Sequence, residues 1–322
     1  MKKLKMTLIL AILALSVISS ATAVTITSID DVDVEGMVVG VQSGTTSDLY
    51  AQDNFQHAKI NGYESILIAE QAFEAGDVNV IMGDKPVLDA YAKDKSEYGV
   101  LATFSEELFG LGVKQNEPDL LNALNAALTE IFNNDSAHGY DAIYANWFDG
   151  APAVYDDGNG SYAYPAYADM ASGGRMKAII DNGQISFGTD PTYPPFENKQ
   201  TDGTYVGFDI DMMDEIALKL SEHYDKNITR NIVDSDWDPI IPNLKAGEFD
   251  VILSAMTKTA DRATQIDFTR AYYGSIQAVL GPANGEVSVN TNQSTPLPVL
   301  PFLVGFVALA VVSKRAKAHL KQ

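Results

Sequence analysis

The chain has 322 residues, enough for two domains of ordinary size, and its 46% of hydrophobic residues predicts a folded protein rather than a disordered one. It contains no cysteine, which excludes disulfides, cysteine metal sites and thiol nucleophiles. The 43 acidic residues outnumber the 22 basic ones, for a net charge of −21 at pH 7. Such an acidic surface repels nucleic acid, so we expect no nucleic-acid partner.

The first 23 residues have the pattern of a secretory signal peptide. Lys2, Lys3 and Lys5 form a basic start, residues 6–18 are an apolar segment, and the Ala-Thr-Ala of residues 21–23 is a small-residue cleavage site. We therefore predict that residues 1–23 are a signal peptide and that the following part of the chain is exported.

Strands and helices are predicted to alternate over the next 125 or so residues, which is typical of a parallel sheet covered on both faces. The first strand, residues 38–42, ends in a Ser-Gly-Thr-Thr loop that can begin a helix. The further predicted elements are helices at 64–75, 86–93, 117–133 and 140–147 and strands at 78–82 and 109–114.

The composition changes at residues 149–174, which are rich in Gly, Ala, Pro, Tyr and Asp without a clear period and predict a linker over residues 150–172. A second α/β pattern begins beyond it. Its predicted elements are helices at 175–182, 207–222 and 238–246 and strands at 184–188, 228–233, 249–253 and 276–280. Residues 282–295 are polar and unpatterned, so we predict a stalk there.

A second apolar run follows the predicted stalk, at residues 296–313, and precedes a basic tail at residues 314–322. As a helix this run reaches about 25 Å, near the lower limit for a membrane span. We predict a transmembrane anchor with a cytoplasmic tail, and hence a protein on the extracellular face of the cell membrane. Pro296 and Pro298 fit such a helix poorly, which leaves a sorting signal that is later removed, or a terminal core helix, as alternatives. Without the leader and the tail, 15 basic residues remain against 43 acidic ones.

Polar residues follow the predicted strand 249–253, at the end of the sheet where ligands usually bind in α/β proteins. Ser254 and Thr257 offer hydroxyl groups, and the guanidinium of Arg262 can hold a carboxylate with two parallel hydrogen bonds. The alternative is a solvated helix start with a surface arginine.

Three further groups of residues are open to both a binding and a structural interpretation. Thr45 and Thr46 can hold an anion at a helix N-terminus, or can simply cap the helix. Asp84 can accept a ligand ammonium group, or can cap the helix that begins near Pro86. Tyr193 and Phe196 can sandwich a ligand side chain, or can pack in the core.

The sequence gives little support for catalysis. Its four histidines are scattered, and no nucleophile–base spacing, metal cluster, phosphate-binding loop or dinucleotide-binding glycine motif is present. We therefore predict a binding protein that is not an enzyme and needs neither a cofactor nor a metal.

Several segments together resemble the polar amino-acid family of extracellular solute-binding proteins, which supply ABC importers. GTDPTYPPFE, VGFDID, DWDPIIPNLKAGEFDVILSAMTKTADR and IDFTRAYY are similar to the first lobe of that family. VGVQSGTT, GDVNVIMGD and the ending ALTEIF…IYANWF are similar to the second lobe and the closing helices. The resemblance covers nearly all of residues 28–149 and 173–281. It implies an α/β, two-lobe type II periplasmic-binding-protein fold.

The segments stand in an order that differs from the family's, because the second lobe comes first. Each segment occurs only once, so we interpret the order as a circular permutation and not a duplication. The implied domains are lobe 2 at 24–107, the closing helices of lobe 1 at 108–149 and the lobe 1 core at 173–281. One covalent crossing, near residues 104–112, is then expected between the lobes. A non-covalent pairing of residues 24–28 with 276–281 is expected to replace the other.

The resemblance also implies roles for single residues. Arg262 is expected to hold the α-carboxylate of an amino acid with Thr257 beside it, Thr45 and Thr46 to hold the same carboxylate, and Asp84 to accept the α-ammonium. The remaining residues expected at the site are Tyr193, which stacks on the ligand, Asp190, which contacts a polar or basic side chain, Phe196, Trp237 and Ser254. Ala255 departs from the serine of some relatives, which leaves side-chain specificity open.

These observations predict a membrane-anchored extracellular monomer that captures a polar or basic amino acid between two lobes and delivers it to the permease of an ABC importer. One alternative is an amino-acid sensing or scavenging protein without an importer. Another is an enzyme of the same fold, such as a dehydratase. A lobe-swapped dimer is the alternative to the monomer.

Overall fold

The computed structural model describes residues 21–152 and 162–290. Most of the predicted signal peptide, part of the predicted linker, the predicted anchor at 296–313 and the tail at 314–322 lie outside these ranges. No helix within the described ranges is long and apolar enough to span a membrane.

Strands and helices alternate through much of the described chain, as the sequence predicts. The strands are β1 (Ala21–Thr25), β2 (Val38–Gln42), β3 (Lys59–Tyr63), β4 (Val80–Asp84), β5 (Tyr98–Lys114), β6 (Gln184–Thr189), β7 (Thr192–Tyr193), β8 (Glu197–Lys199), β9 (Tyr205–Val206), β10 (Thr229–Asp234), β11 (Val251–Ile252), β12 (Ile266–Pro282) and β13 (Glu286–Asn290). The α-helices are α1 (Thr46–Asn54), α2 (Ile66–Ala75), α3 (Lys85–Ala92), α4 (Pro118–Phe132), α5 (Tyr140–Trp147), α6 (Arg175–Asn182), α7 (Phe208–Tyr224), α8 (Ile240–Ala246) and α9 (Ala260–Ala263).

Eight strands form one mixed sheet in the order β10-β6-β11-β5-β12-β4-β2-β3. Strands β10, β6 and β11 are parallel to one another, as are β4, β2 and β3, whereas β5 and β12 between these groups are antiparallel. We call the half with β10, β6, β11 and helices α4–α9 lobe 1, and the half with β4, β2, β3 and helices α1–α3 lobe 2. The α/β architecture agrees with the fold class predicted from the sequence.

The long strands β5 and β12 connect the two lobes. They pair along their lengths, from Ile266 opposite Lys114 to Pro282 opposite Tyr98. The end of β5 pairs with β11 in lobe 1, and residues 277–280 of β12 pair with β4 in lobe 2. Covalent chain therefore crosses between the lobes twice, and the prediction of a single crossing is wrong.

The predicted pairing of residues 24–28 with 276–281 is also wrong. Residues 276–281 lie inside β12, where β5 on one side and β4 on the other already satisfy the backbone. Strand β1 pairs instead with β13, and the backbone N–H of Ile26 donates to the carbonyl of Gly285 at 2.9 Å.

Part of the predicted stalk is folded, because residues 286–290 form β13. Val287 and Val289 alternate with polar residues and are 2% and 1% exposed, in a cluster that includes Ile26 and Met37. The Asn79 side chain donates to the carbonyl of Ser288 at 3.0 Å, which fixes β13 on lobe 2. The short alternating stretch was too brief to separate from a polar segment by pattern alone.

The described end of the predicted linker packs on lobe 1. The Tyr224 hydroxyl donates to the carbonyl of Pro165 at 3.1 Å, and the backbone N–H of Ala171 donates to Asp119 at 3.0 Å. Met170 is 5% exposed within the main hydrophobic cluster. This part of the segment is therefore fixed by specific contacts.

Tight packing holds the strands of lobe 1. Gly188 on β6 lies against the ring of Phe249, and a Cβ at this position would come within 2.3 Å of a ring carbon. Only glycine leaves room for this approach. The main hydrophobic cluster contains residues from both lobes, including Ile66 and Leu88 of lobe 2 and Phe109 and Phe187 at the lobe 1 side.

Candidate functional site

A small cavity of about 20 Å³ lies between the two lobes, where β4, β6 and β11 end. It brings together nine of the ten residues that the sequence predicts at the site. These are Thr45, Thr46, Asp84, Asp190, Tyr193, Trp237, Ser254, Thr257 and Arg262, and the lining is completed by Gln42, Glu197 and Ala255.

Arg262 is a buried cation, because its side chain turns inward from α9 and the residue is only 9% exposed. Nη1 donates to the carbonyl of Thr257 at 2.9 Å, and Nη2 approaches the carbonyl of Gly44 in lobe 2 at 3.4 Å. The guanidinium carbon lies 5.0 Å from the ring centre of Trp237, within cation–π distance. Among the described residues, no carboxylate lies within 4.0 Å of its nitrogens. The solvated surface arginine considered above is therefore not what the structure contains.

Asp84 occupies the N-cap position of α3, but its side chain does not cap that helix. It accepts hydrogen bonds from the Tyr193 hydroxyl at 2.7 Å, from Ser275 at 2.6 Å and from the Gln277 amide at 2.8 Å. Burial, reinforced by the negative charge of Glu107, raises the pKa of Asp84 to about 7. The carboxylate faces the cavity and can respond to a ligand's charge.

The two threonines at the start of α1 have different roles. Thr45 is the N-cap, and its hydroxyl both accepts from the backbone N–H of Asp48 and donates to the carbonyl of Gln42 at 2.7 Å. The Thr46 hydroxyl instead donates to Glu107 at 3.0 Å. The first turn of α1 also has backbone N–H groups without acceptors inside the helix, which favour an anion.

Glu107 is the main residue of this region that the sequence analysis missed. It lies on β5 between the lobes, is 9% exposed, and accepts hydrogen bonds from Thr46, from Thr257 at 2.5 Å and from Gln277 at 3.1 Å. Gln277 on β12 connects it to Asp84 through the same amide nitrogen. Glu107 precedes the strand predicted at 109–114 and lies beside a second acid, Glu106, so no sequence pattern distinguished it from a solvated acid.

The lobe 1 wall carries further acidic groups. Asp190 accepts from the Gln42 amide at 2.8 Å and from Thr192 at 2.6 Å, and burial raises its pKa. Ser254 donates to Glu197 at 2.7 Å and accepts from the backbone N–H of Asp190. Arg262 is the only Lys or Arg among the residues that line the cavity, so acidic groups outnumber basic ones there.

Glu197, which lines the cavity, forms a buried pair with Asp209, which does not. Burial and the neighbouring charge raise the pKa of Glu197 well above its usual range, and burial raises that of Asp209 to about 6. Asp209 accepts from the Tyr272 hydroxyl and from the backbone N–H of Ala255, each at 2.8 Å. Through its bond to the Ala255 backbone, Asp209 supports the loop at Ala255.

Phe196 is a correction to the predicted site. Its ring is completely buried and lies in edge contact with Phe109, Phe208 and Tyr273, so it does not reach the cavity. Tyr193 does reach it, and Tyr193 donates its hydroxyl proton to Asp84 of lobe 2. The two rings stack with their centres 6.4 Å apart, so Tyr193 lies between Phe196 and the cavity residue Asp84.

The described residues contain no group of three or more His, Asp or Glu side chains arranged to hold a metal ion. The arrangement of the cavity instead suits a small ligand that carries both charges. Arg262 complements an anionic group, and Asp84 complements a cationic one.

Comparisons with known proteins identify one part of the chain directly. Residues 185–319 match the model of the bacterial extracellular solute-binding proteins, family 3. Over 104 residues the chain is 36% identical to the histidine-binding periplasmic protein of Salmonella typhimurium, covering 32% of this chain and 38% of that protein. Over 91 residues it is 36% identical to the lysine/arginine/ornithine-binding periplasmic protein of Escherichia coli, covering 28% of this chain and 33% of that protein.

A solved structure is similar over a comparable stretch. The arginine-bound domain 1 from TmArgBP, crystallised as a point mutant, is 32% identical, with 33% of this chain and 84% of that chain covered and a TM-score of 0.29. The chain spans less than two fifths of the length of the two periplasmic relatives named above. Residues 185–319 are therefore the part of the chain that is similar to the bacterial extracellular solute-binding proteins, family 3.

Proposed function

We propose that the protein binds a polar or basic amino acid in the cavity between its lobes, without catalysing a reaction. The observation that carries this proposal is the buried guanidinium of Arg262, which has no carboxylate partner among the described residues and shares a cavity with the buried carboxylate of Asp84. A buried charge without a partner is costly, and a bound ion of opposite charge offsets that cost. An amino acid supplies the carboxylate for Arg262 and the ammonium for Asp84.

The excess of acidic groups supports a ligand with a cationic side chain. Asp190 and Glu197 line the lobe 1 wall, whereas Arg262 is the only lysine or arginine there. A second positive charge on the ligand would lie among acceptors such as Asp190. The relatives named for histidine, and for lysine, arginine and ornithine, support the same class of ligand.

Ligand entry on this proposal requires the lobes to separate. The cavity is lined from both lobes, and the Tyr193–Asp84 and Gln42–Asp190 hydrogen bonds connect the lobes across it. The middle of β5 and β12 is the only place where covalent chain joins them within the described residues, so bending is expected there.

We also propose that the chain is circularly permuted relative to its family, with both crossing strands retained. The match to the family begins at residue 185, while the lobe that contains α1 and β4 lies upstream of it. We propose further that a signal peptide at residues 1–23 directs export and that residues 296–313 hold the protein at the extracellular face of the membrane. On this proposal the protein acts as a monomer and delivers its ligand to the permease of an ABC importer.

The binding proposal is tested by titration calorimetry of the full chain with each of the twenty amino acids. We expect at least one polar or basic amino acid to bind, and we expect Arg262→Ala to remove that binding. Arg230→Ala is the matched control, because Arg230 pairs with Asp214 on lobe 1 and does not line the cavity. Retained affinity in Arg262→Ala, or no heat from any amino acid, would overturn the proposal.

A further inference from the structure

The hydrogen bonds around Glu107 determine whether two hydroxyl groups of the cavity can donate to a ligand or only accept from it. Oε2 of Glu107 receives the hydroxyl of Thr46 from lobe 2 at 3.0 Å and the hydroxyl of Thr257 from lobe 1 at 2.5 Å. The same oxygen receives the N–H of Gln277 at 3.1 Å. One carboxylate oxygen therefore collects donors from both lobes and from the crossing strand β12.

An ionised carboxylate only accepts hydrogen bonds, and a threonine hydroxyl has a single proton to donate. Thr46 and Thr257 both line the cavity, yet each directs its proton to Glu107. The lone pairs of the two hydroxyl oxygens are what remain for a ligand. Hydroxyls held in this way accept hydrogen bonds and do not donate them to a ligand carboxylate.

We propose that Glu107 is a positioning residue that turns Thr46 and Thr257 into acceptors for the α-ammonium group of the ligand. This inference rests on the proposed amino-acid binding function. Together with Asp84, the two hydroxyl oxygens then form the ammonium subsite, with donors and acceptors contributed by both lobes. The α-carboxylate is left to Arg262 and to the backbone N–H groups that begin α1.

Glu107 itself does not line the cavity, which separates its role from that of a direct ligand contact. It lines the open groove on the other side of the threonines, together with its neighbour Glu106. Glu106 is exposed and lies on the same strand, so Glu106→Gln makes the same change of charge without touching the two hydroxyls.

The test is a double-mutant cycle on the full chain, with L-arginine or L-histidine as the probe, whichever binds more tightly. Glu107→Gln introduces an amide N–H that can donate to the threonine hydroxyls. Their own protons are then no longer directed toward residue 107. We expect about tenfold weaker binding, as for the loss of one hydrogen bond to a charged group. Glu106→Gln should leave the affinity unchanged. In a background of Thr46→Val and Thr257→Val, Glu107→Gln should cause little further loss.

A second readout isolates the ammonium group. The affinity of the amino acid is compared with that of its analogue without the α-ammonium, 5-guanidinopentanoate for arginine or imidazolepropanoate for histidine. Glu107→Gln should weaken the amino acid and leave the analogue nearly unchanged. A merely structural role would weaken both equally. If Glu107→Gln does not fold, as judged by thermal unfolding, Glu107→Asp should give a smaller loss with the same selectivity for the amino acid.

The outcomes separate this inference from the proposed function. If the wild-type protein binds an amino acid through Arg262, but the effects of Glu107→Gln and the threonine substitutions add, the positioning role is overturned and the binding function stands. If the wild-type protein binds no amino acid, both are overturned.

Discussion

Replacing Asp84 with asparagine should stabilise the ligand-free protein at pH 8 while removing its ability to bind an amino acid. Burial and the charge of Glu107 raise the pKa of Asp84 from 3.8 to about 7, so the ionised form is disfavoured in the folded protein. Asparagine has nearly the same shape and is neutral at every pH. It can still accept hydrogen bonds from Ser275 and Gln277, but it cannot balance a ligand ammonium.

The size of the effect follows from the pKa. A carboxyl group whose pKa is raised on folding contributes stability that is complete below its unfolded pKa and is lost as the pH rises through the folded value. For a shift from 3.8 to about 7, the raised pKa of Asp84 costs about 4.3 kcal/mol of stability at pH 8 and about 1.7 kcal/mol at pH 5, at about 1.4 kcal/mol per pKa unit. The benefit of Asp84→Asn should therefore be about 2.6 kcal/mol larger at pH 8, or about 5 °C in Tm at about 2 °C per kcal/mol.

The assay is thermal unfolding of the wild-type and Asp84→Asn proteins at pH 5 and pH 8 without ligand, followed by calorimetric titration at pH 8. Asp89→Asn is a matched control, since Asp89 is an exposed residue of α3 paired with Lys85. The reasoning is refuted if Asp84→Asn changes Tm by the same amount at both pH values, or if the variant binds the amino acid as tightly as the wild type.

Three further predictions follow from the site and the packing. Binding of the amino acid should weaken about tenfold between pH 8 and pH 6, because Asp84, with a pKa of about 7, must be ionised to hold the ammonium. Calorimetric titrations that give the same affinity at both pH values would contradict this. Gly188→Ala should destabilise the protein by about 2 kcal/mol in urea unfolding, because its Cβ would lie 2.3 Å from Phe249, whereas Gly203→Ala, with no atoms within 4 Å of its Cβ, should cost less. Val287→Ala should cost about 2 kcal/mol in the same assay if β13 is part of the folded lobe, and no loss of stability would support the stalk predicted from sequence.

The sequence predicted most of the residues that line the cavity because these residues follow strands. Thr45, Asp84 and Ser254 each come within a few residues of a short apolar strand, and strands of parallel sheets place their carboxyl ends at one edge. The resemblance then predicted that Arg262 shares a site with Thr45, Thr46 and Asp84 of the other lobe. These four residues line one cavity.

The long strands were the part that local pattern did not reveal. Strand β12 has bulges between Phe268 and Ala271 and again between Ile276 and Ala278, which interrupt the alternation expected of a single strand. Only residues 276–280 therefore read as a strand in the sequence, and the crossing from lobe 1 was missed. Glu107 and Gln277 lie within these strands, so no strand end marked them as site residues.

The pairing of β1 with β13 determines which lobe bears the segments that precede residue 21 and follow residue 290. Residues 21 and 289 lie on neighbouring strands of lobe 2, so a segment that precedes β1 and a segment that follows β13 are both attached to the same lobe. An attachment to a surface at either position would immobilise lobe 2 alone. Opening of the cleft would then consist of lobe 1 rotating about β5 and β12.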